Sequence, residues 1–236
     1  MIHVEKKEPY LFAGQSESGH RLMFHTLNDH EVELVLPTDG EKPQGYVVIP
    51  NTVECEGRTY NVYAIGRRAF YQCSGLNEVL VPDTVRRIEA EAFRESGITS
   101  IQAASVEFID YSSFYECKLL KTVDMPKLRH MWVSAFSRCE KLSSFVIPEG
   151  LEEIPHYAFD FNSFTKIVIP NTVRRIGDQA FYNCSKLETV IIPSSMIDIG
   201  SEAFSGTQIK EAIIPNPATF VFWNAFPKDC KVVRVK

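Results

Sequence analysis

The residues of this sequence best suited to chemistry are three evenly spaced histidines and one Ser-x-x-Lys motif. His20, His25 and His30 recur every five residues, and three imidazoles could bind a transition metal. However, an odd spacing puts neighbouring side chains on opposite faces of a strand, so we interpret them as solvated or packed side chains. Ser163 and Lys166 have the spacing of a serine nucleophile and its activating lysine. They lie in a joint between repeated segments where polar residues recur, which does not favour a catalytic pair.

Other motifs of catalysis and metal binding are missing from the sequence. The six cysteines form no Cys-x-x-Cys pair, which argues against a zinc site or a dithiol redox centre. There is no Gly-x-Ser-x-Gly elbow, phosphate-binding glycine loop or His-Glu-x-x-His motif. A surface without a converging acid, base and nucleophile offers nothing for catalysis. We therefore expect a protein that is not an enzyme and that needs no cofactor or metal.

Composition excludes several broad classes of protein. The chain has 236 residues, of which 44% are hydrophobic, enough for a buried core. Its net charge of −5, with both signs spread along the chain, does not favour a nucleic-acid partner. No apolar run approaches the ~20 residues of a membrane-spanning helix, and the N-terminal segment lacks a signal-peptide core. The residues alone leave open whether the chain is cytoplasmic or a trimmed form of an exported protein.

The main signal in the sequence is an internal repeat marked by phenylalanine. Eight phenylalanines are spaced by 23, 21, 22, 23, 22, 23 and 22 residues, and an alanine precedes seven of them. These ladder phenylalanines are Phe70, Phe93, Phe114, Phe136, Phe159, Phe181, Phe204 and Phe226. Such a period predicts stacked units, each burying its apolar face against the next. We call the unit around each ladder phenylalanine a rung and number the rungs 1 to 8.

Each unit contains signals for short strands and a tight turn. Residues 190–192 are a β-branched strand that Pro193 stops, because proline has no N–H for a ladder. Earlier in the unit, Asp178 could cap a helical turn. One face of that helical turn would carry Ala180, Cys184 and Leu187. The sequence therefore predicts an α/β solenoid of about eight units of 22–23 residues, built from short parallel strands and short helical turns.

The repeat also predicts what fills the core. Each ladder phenylalanine would stack on the rings above and below it. Four cysteines lie three residues after a ladder phenylalanine, namely Cys73, Cys117, Cys139 and Cys184. Only Cys117 and Cys139 are on adjacent rungs, and cysteines two rungs apart lie about 10 Å from each other, beyond disulfide reach. We predict buried free thiols that act as small apolar fillers.

The two ends of the chain depart from the repeat. Residues 22–27 and 32–36 have strand-like patterns, and Asn28 and Asp29 suit a tight turn between them. We expect residues 1–45 to form a β-hairpin cap, because an open stack end would expose core. Residues 46–236 would then form the solenoid, with residues 232–235 as a closing strand.

The repeated pattern V-x-I-P-x-x-V-x-x-I-G-x-x-A-F-x-x-C-x-x-L resembles the BspA-type (Treponema pallidum-type) leucine-rich repeat. Residues 48–215 carry this pattern. The resemblance implies a right-handed superhelix whose first unit holds a small hairpin at Glu56 and Gly57. It also implies a secreted or surface-exposed bacterial protein that binds host proteins or other bacteria. Residues 101–104 depart from the pattern because they lack the proline, and we expect that rung to be irregular.

One row of side chains is predicted to form an exposed stripe. Side chains alternate along a strand, so the middle residue of each V-x-I segment points away from the core. This row consists of Leu80, Gln102, Asp124, Val146, Val168, Ile191 and Ile213. Its apolar members, Leu80, Val146, Val168, Ile191 and Ile213, are candidate partner-binding residues because exposed apolar patches often mark interfaces. Alternatively, the β-branched residues simply stabilise a parallel sheet.

Aromatic residues on neighbouring rungs form a second candidate surface. Tyr111, Trp132, His156 and Tyr157 occupy nearby loop positions, and their polar tips suit contacts with proteins or sugars. Alternatively, they pack between successive loops. Together these features predict a non-catalytic, adhesion-type module that binds a host or bacterial surface protein. A structural spacer of a cell-envelope assembly and a glycan-binding module are the alternatives.

Overall fold

The computed structural model describes residues 10–36 and 41–235, and over these ranges the chain forms 21 β-strands and no helix. The chain begins with an antiparallel sheet of β1 (Leu11–Gln15), β2 (Arg21–Thr26) and β3 (Glu31–Val35). β3 then pairs in parallel with β6 (Arg58–Ile65), which opens the repeats. The hairpin expected from residues 22–36 is thus present as β2 and β3, with β1 as an additional strand.

Two columns of parallel strands run through the repeats. The long-strand column contains β4 (Gly45–Val48), β7 (Leu76–Leu80), β9 (Ser100–Gln102), β11 (Thr122–Asp124), β13 (Ser144–Phe145), β15 (Lys166–Val168), β17 (Thr189–Ile191), β19 (Glu211–Ile214) and β21 (Lys231–Arg234). The short-strand column contains β6, β8 (Arg87–Ile88), β10 (Phe108–Ile109), β12 (His130–Met131), β14 (Glu153–Ile154), β16 (Arg175–Ile176), β18 (Asp198–Ile199) and β20 (Phe220–Val221). A solenoid of about eight turns results.

The ladder phenylalanines form one continuous stack through the core, as predicted. Successive ring centroids are 4.9 to 5.6 Å apart, and successive rings are within 18° of parallel. All eight rings are buried. Stacking at this distance maximises ring-to-ring contact while excluding water, so the stack is the continuous apolar axis of the fold.

The predicted helical turns are wrong: the segments around the ladder phenylalanines are chains of tight turns. In rung 2 the Ala92 N–H donates to the carbonyl three residues earlier, whereas the Phe93 N–H donates to the Ser113 carbonyl of the next rung at 2.7 Å. An α-helix would keep every N–H within its own segment. Two residues four apart, Glu91 and Glu95, also adopt a left-handed φ of 59°. The backbone therefore alternates between local and inter-rung hydrogen bonds, a pattern that helical periodicity in one unit cannot reveal.

The cysteine row is buried and unpaired, but the thiols are more than apolar fillers. Cys73, Cys117, Cys139 and Cys184 are all buried free cysteines. The Cys117 thiol donates to the Phe93 carbonyl of the preceding rung at 2.9 Å, and the Cys184 thiol donates to the Phe159 carbonyl at 3.0 Å. These thiols thus add a polar link between rungs.

The small hairpin of the first unit and the strand near the C-terminus both form at the expected positions. β5 (Thr52–Cys55) pairs antiparallel with β6 through a turn in which Glu56 and Gly57 have φ values of 49° and 73°. At the other end, β21 pairs in parallel with β19. Val232 and Val235 remain exposed there, so β21 extends the long-strand column without covering its outer edge. The division into a cap at residues 1–45 and a solenoid at 46–236 stays a prediction.

Both strand columns are interrupted at the same junction, between rungs 4 and 5. In the described sheets β12 does not pair with β14, and β13 does not pair with β15. The turn segments remain joined, because the Phe136 N–H donates to the Ala158 carbonyl at 2.9 Å. We call this junction, between residues 129–145 and 150–168, the seam.

A proline accounts for the seam on the short-strand side. In every other rung the residue four positions before the ladder phenylalanine donates its N–H to the preceding rung. Gly177, for example, donates to the Ile154 carbonyl at 2.8 Å. Rung 5 has Pro155 at this position, and proline has no N–H to donate.

A bulky core residue accompanies the seam on the long-strand side. Phe145 occupies the buried position of β13, where neighbouring strands carry valine or isoleucine. Its ring lies 5.4 Å from that of Phe136 and 5.1 Å from that of Phe159, tilted by 44° to both. The Phe136–Phe159 distance of 5.6 Å is the largest along the stack. Phe145 therefore acts as a wedge between rungs 4 and 5.

The rung that lacks the proline is regular, contrary to the expectation from residues 101–104. β9 pairs in register with both β7 and β11. The Ala103 N–H donates to the Asp124 carbonyl at 2.9 Å, just as the Ile169 N–H donates to the Ile191 carbonyl in a rung that has the proline. The rung therefore keeps its regular bond with Ala104 at the proline position, and the irregularity lies two rungs further on.

Candidate binding surfaces

The predicted apolar stripe is exposed along the long-strand face. Five of its residues have between 45% and 83% of their side-chain surface accessible. These residues are Leu80, Val146, Val168, Ile191 and Ile213. Val168 and Ile191 are direct neighbours in the register of β15 and β17. The column is interrupted on both sides of this strand pair, so the stripe crosses three separate sheets.

A groove of about 720 Å³ continues the stripe toward the N-terminal end of the solenoid. Gln102, Asp124 and Val146, three consecutive members of the row, line it together with Glu149. Asp124 and Glu149 place negative charge in the groove, whereas the row beyond it is aliphatic. The long-strand face therefore offers an acidic groove at one end and an apolar stripe at the other.

The seam opens a cleft of about 580 Å³ on the short-strand side. Its walls come from residues 129–133 of rung 4 and 150–156 of rung 5, and they include Trp132 and His156. The structure thus brings together two of the four aromatic residues singled out in the sequence. Tyr111 and Tyr157 are also exposed, but they lie outside the lining of this cleft.

Trp132 occupies a position that is glycine in rungs 1, 6 and 7. At Gly177, an added Cβ would lie 2.6 Å from the His156 backbone nitrogen, so that rung packs too tightly for a side chain. Trp132 accommodates a full indole at the equivalent position, and 54% of its surface is exposed. The indole lies along one wall of the cleft.

The polar side chains of the cleft have unused hydrogen-bonding capacity. Arg129, Glu152 and Glu153 make no side-chain hydrogen bond or ion pair with any other residue in the described ranges. Glu153 is adjacent to Arg175 in the strand register, yet no ion pair forms between them. The His156 Nδ1 atom accepts a hydrogen bond from the Asp178 backbone N–H at 2.9 Å. In the neutral imidazole the proton is then on Nε2, which leaves a donor available.

Two buried polar residues mark the seam from the inside. Asn162 occupies the cysteine position of rung 5, and neither its Oδ1 nor its Nδ2 has a hydrogen-bond partner. Asp160 Oδ1 is also unpaired, and burial raises the pKa of this carboxyl. In rung 6 the thiol of Cys184 bonds to the preceding rung, so the unpaired amide reflects the wider spacing at the seam. We assign no ligand to this interior pair.

Sequence reasoning missed an aromatic patch on the last rung. Phe220, Phe222 and Trp223 are exposed, and Trp223 is 89% accessible. Aligning the rungs by position would have shown this patch. Phe222 has the same position in its rung as Trp132, and Trp223 has the same position as His156.

The histidines and the serine of the Ser-x-x-Lys motif make hydrogen bonds within the fold and do not converge on one site. His20 Nε2 lies 2.9 Å from the Gln44 carbonyl, and His25 Nδ1 lies 3.1 Å from a Glu33 carboxylate oxygen. Ser163 donates to the Glu140 carbonyl at 2.7 Å. Among the described residues, no group of His, Cys, Asp or Glu is arranged to hold a metal ion. Nor does this part of the chain contain a helix long and apolar enough to cross a bilayer.

Comparison with known proteins defines the family. The fold is similar to that of a leucine-rich repeat protein from Bacteroides ovatus, with a TM-score of 0.60 and 25% sequence identity. The alignment covers 94% of this chain and 55% of the Bacteroides protein. The chain thus spans about half the length of that relative. The T. pallidum leucine-rich repeat protein is 20% identical with a TM-score of 0.52, covering 94% of this chain and 83% of its own.

Neither of these neighbours indicates an enzyme family, and a search of curated proteins found no match. The model of the BspA type leucine rich repeat region matches six copies, over residues 58–163 and 127–234. Because these matches cover most of the solenoid, the chain belongs to the BspA-type leucine-rich repeat family.

Proposed function

We propose that this protein is a non-catalytic, adhesion-type module that binds a protein ligand along its long-strand face. The observation that carries the proposal is the exposure of Val146, Val168, Ile191 and Ile213 beside an acidic groove. An aliphatic row of this length is unfavourable in water and gains free energy when a partner covers it.

The chemistry of the face defines the partner. Apolar side chains of an extended protein segment would cover Val168 and Ile191, while a lysine or arginine would lie near Asp124 and Glu149 in the groove. Opposite charges at one end of an interface fix its direction and steer association. The ligand is therefore a basic-apolar segment of a host or bacterial surface protein.

A displayed library of linear peptides tests this proposal directly. We expect selection on the folded protein to recover peptides with a basic residue followed by aliphatic residues. Calorimetry then measures the affinity for a selected synthetic peptide. This affinity should fall by at least about tenfold in the Val168→Lys and Ile191→Lys double variant, because the peptide would have to bury two charged lysines that have no oppositely charged partner.

A matched control separates loss of the surface from loss of the fold. Both positions are exposed, so the double variant should keep the wild-type circular dichroism, with a melting temperature lowered only slightly by the repulsion between two neighbouring lysines. Trp132→Ala, on the other side of the solenoid, should leave peptide binding unchanged. Recovery of no binding peptide, or full affinity in the double variant, would reject this face as the protein-binding site.

A structural spacer is the second candidate, since the same stripe could join copies of the chain. Light scattering over a range of concentrations separates the two functions. A monomer at all concentrations favours the ligand-binding module, whereas a concentration-dependent oligomer that Val168→Lys dissolves favours the spacer.

Export to the cell surface is part of the proposal. Membership of the BspA-type family supports it, because this family includes bacterial surface proteins. Protease treatment of intact cells of the source organism tests localisation. Digestion of the protein while a cytoplasmic marker survives supports surface exposure, and protection of both contradicts it.

A further inference from the structure

We propose that the seam cleft binds a neutral saccharide, with Trp132 as the platform on which a sugar ring stacks. This site lies on the short-strand side of the solenoid and is independent of the proposed protein-binding face. Its origin is the substitution of Pro155 for the hydrogen-bonding residue of other rungs and the wedge of Phe145 behind it.

The indole supplies the apolar half of a sugar site. The face of an aromatic ring carries partial negative charge, and one face of a pyranose presents several weakly positive C–H bonds. Trp132 has more than half of its surface exposed on the cleft wall, and it makes no ring contact with any aromatic residue that the structure describes. It is therefore a flat surface without a partner of its own.

The polar half consists of groups whose hydrogen bonds are unused. Sugar hydroxyls both donate and accept, so they match carboxylates and guanidinium groups placed side by side. Glu152, Glu153 and Arg129 line the cleft and have no partners in the described chain. The Met131 carbonyl adds an acceptor, because Pro155 cannot donate the N–H that equivalent carbonyls receive in other rungs.

Charge selects a neutral ligand. Two carboxylates face one guanidinium in the cleft, so an anionic sugar such as a sialylated chain would meet net repulsion. The shape of the cleft also disfavours a peptide. β12 and β14 are each two residues long, and the Ser134–His156 hydrogen bond closes the cleft at the turn segment, so the unpaired edges of these strands are too short to pair with an added strand.

Fluorescence offers a residue-specific test because Trp132 and Trp223 are the two tryptophans of the chain. In the Trp223→Phe variant all indole emission comes from Trp132. We expect a saturable change when this variant is titrated with at least one of cellotetraose, xylotetraose, maltotetraose, chitotetraose or lacto-N-tetraose, up to about 10 mM for a dissociation constant near 1 mM. 3′-Sialyllactose is the negatively charged comparison sugar, and it should bind more weakly than the neutral sugar that gives the signal.

Four variants define the outcome. Calorimetry with the active sugar should show an affinity lower by about tenfold or more in Trp132→Ala and in Glu152→Gln combined with Glu153→Gln. Trp132→Phe, in which emission reports only Trp223, should show no sugar-dependent change. Val168→Lys with Ile191→Lys should bind the sugar normally, which separates this site from the protein-binding face.

Several results would overturn the proposal. One is the absence of a saturable change for every sugar across this range. Others are a signal that follows Trp223, a preference for the sialylated chain, or full affinity in Trp132→Ala. Binding of a selected linear peptide at Trp132 without binding of any sugar would show that the cleft serves a protein ligand instead.

Discussion

At the scale of single residues, the fold depends on a side chain that repeats once per rung. The ladder phenylalanines contact both neighbouring rungs, so each ring stabilises its own rung and the two beside it. The thiols of Cys117, Cys139 and Cys184 reinforce this axis by donating to carbonyls of the preceding rung. Local changes along the axis should therefore have effects that extend beyond one rung.

Removing one ring from the interior of the stack should be costly. Phe181→Ala is expected to lower the free energy of unfolding by about 3–5 kcal/mol, because the ring is fully buried and its loss leaves a cavity. Urea denaturation measures the change. Phe220→Ala, at an exposed position, should change the free energy by about 0.5 kcal/mol or less. A loss under about 1 kcal/mol in Phe181→Ala would contradict the ladder.

The buried thiols should make stability depend on alkaline pH. Burial raises the pKa of Cys184 from its ordinary value of 9.0 to about 12. The folded state keeps a proton that the unfolded state releases, so the contribution is complete below pH 9.0 and is lost between pH 9.0 and about 12. Denaturation at several pH values should show a shallower alkaline decline in Cys184→Ser, a residue that rung 2 already uses as Ser96. Parallel declines in both proteins would refute this role.

At the scale of elements, the turn segments and strands contribute differently to continuity. The turn segments join all eight rungs through inter-rung hydrogen bonds, whereas both strand columns break at the seam. Two-residue strands are joined by only a few backbone hydrogen bonds, so the loss of one donor at Pro155 removes a large part of the ladder between them. The seam is therefore a consequence of element length as much as of Pro155.

Restoring the missing donor should close the backbone gap. In Pro155→Gly we expect the new amide to donate to the Met131 carbonyl, as Gly177 donates to Ile154. Hydrogen exchange followed by NMR should then show protection at residue 155 similar to that of Gly177, which serves as the internal reference. Rapid exchange at residue 155 would indicate that Phe145 alone holds the rungs apart.

At the scale of the whole molecule, the N-terminal strands protect one end of the stack. β3 pairs with β6, and Phe24, Val32 and Leu34 are buried against the first repeats. The opposite end instead presents the edge of β21 and the exposed Phe220 and Trp223. The two ends of the solenoid therefore differ strongly in how well their apolar groups are covered.

Deleting residues 1–40 should uncover the core of rung 1. We expect the shortened protein to aggregate, because Val62 and Ile65 lose the strand that covers them and the free edge of β6 can pair with another chain. Size-exclusion chromatography with light scattering checks this. The full chain at the same concentration is the control, and a folded, monomeric truncation would show that these strands are a separate module.

Much of the fold and part of the candidate sites could be predicted from the repeat. Residues at the same position in successive rungs have equivalent surroundings. The repeat therefore predicts the stacking of Phe181, the exposure of Val168 and the burial of Cys184. The turn conformation could not be predicted, because Glu91 and Phe93 bond to another rung. The cleft was missed because it depends on Phe145 of rung 4 and Pro155 of rung 5 together, and the column of neither residue by itself predicts a gap between the rungs.

The sequence by itself determined the family, the number of rungs and the rows of side chains. It could do so because the same residue types recur at the same spacing in each unit, so every unit gives independent evidence for the same fold. Only the tertiary structure decided where the regular stack fails. Hydrogen bonds between rungs join residues twenty or more positions apart, so the loss of one donor at Pro155 becomes a cleft beside Trp132 only when the neighbouring rung is in place.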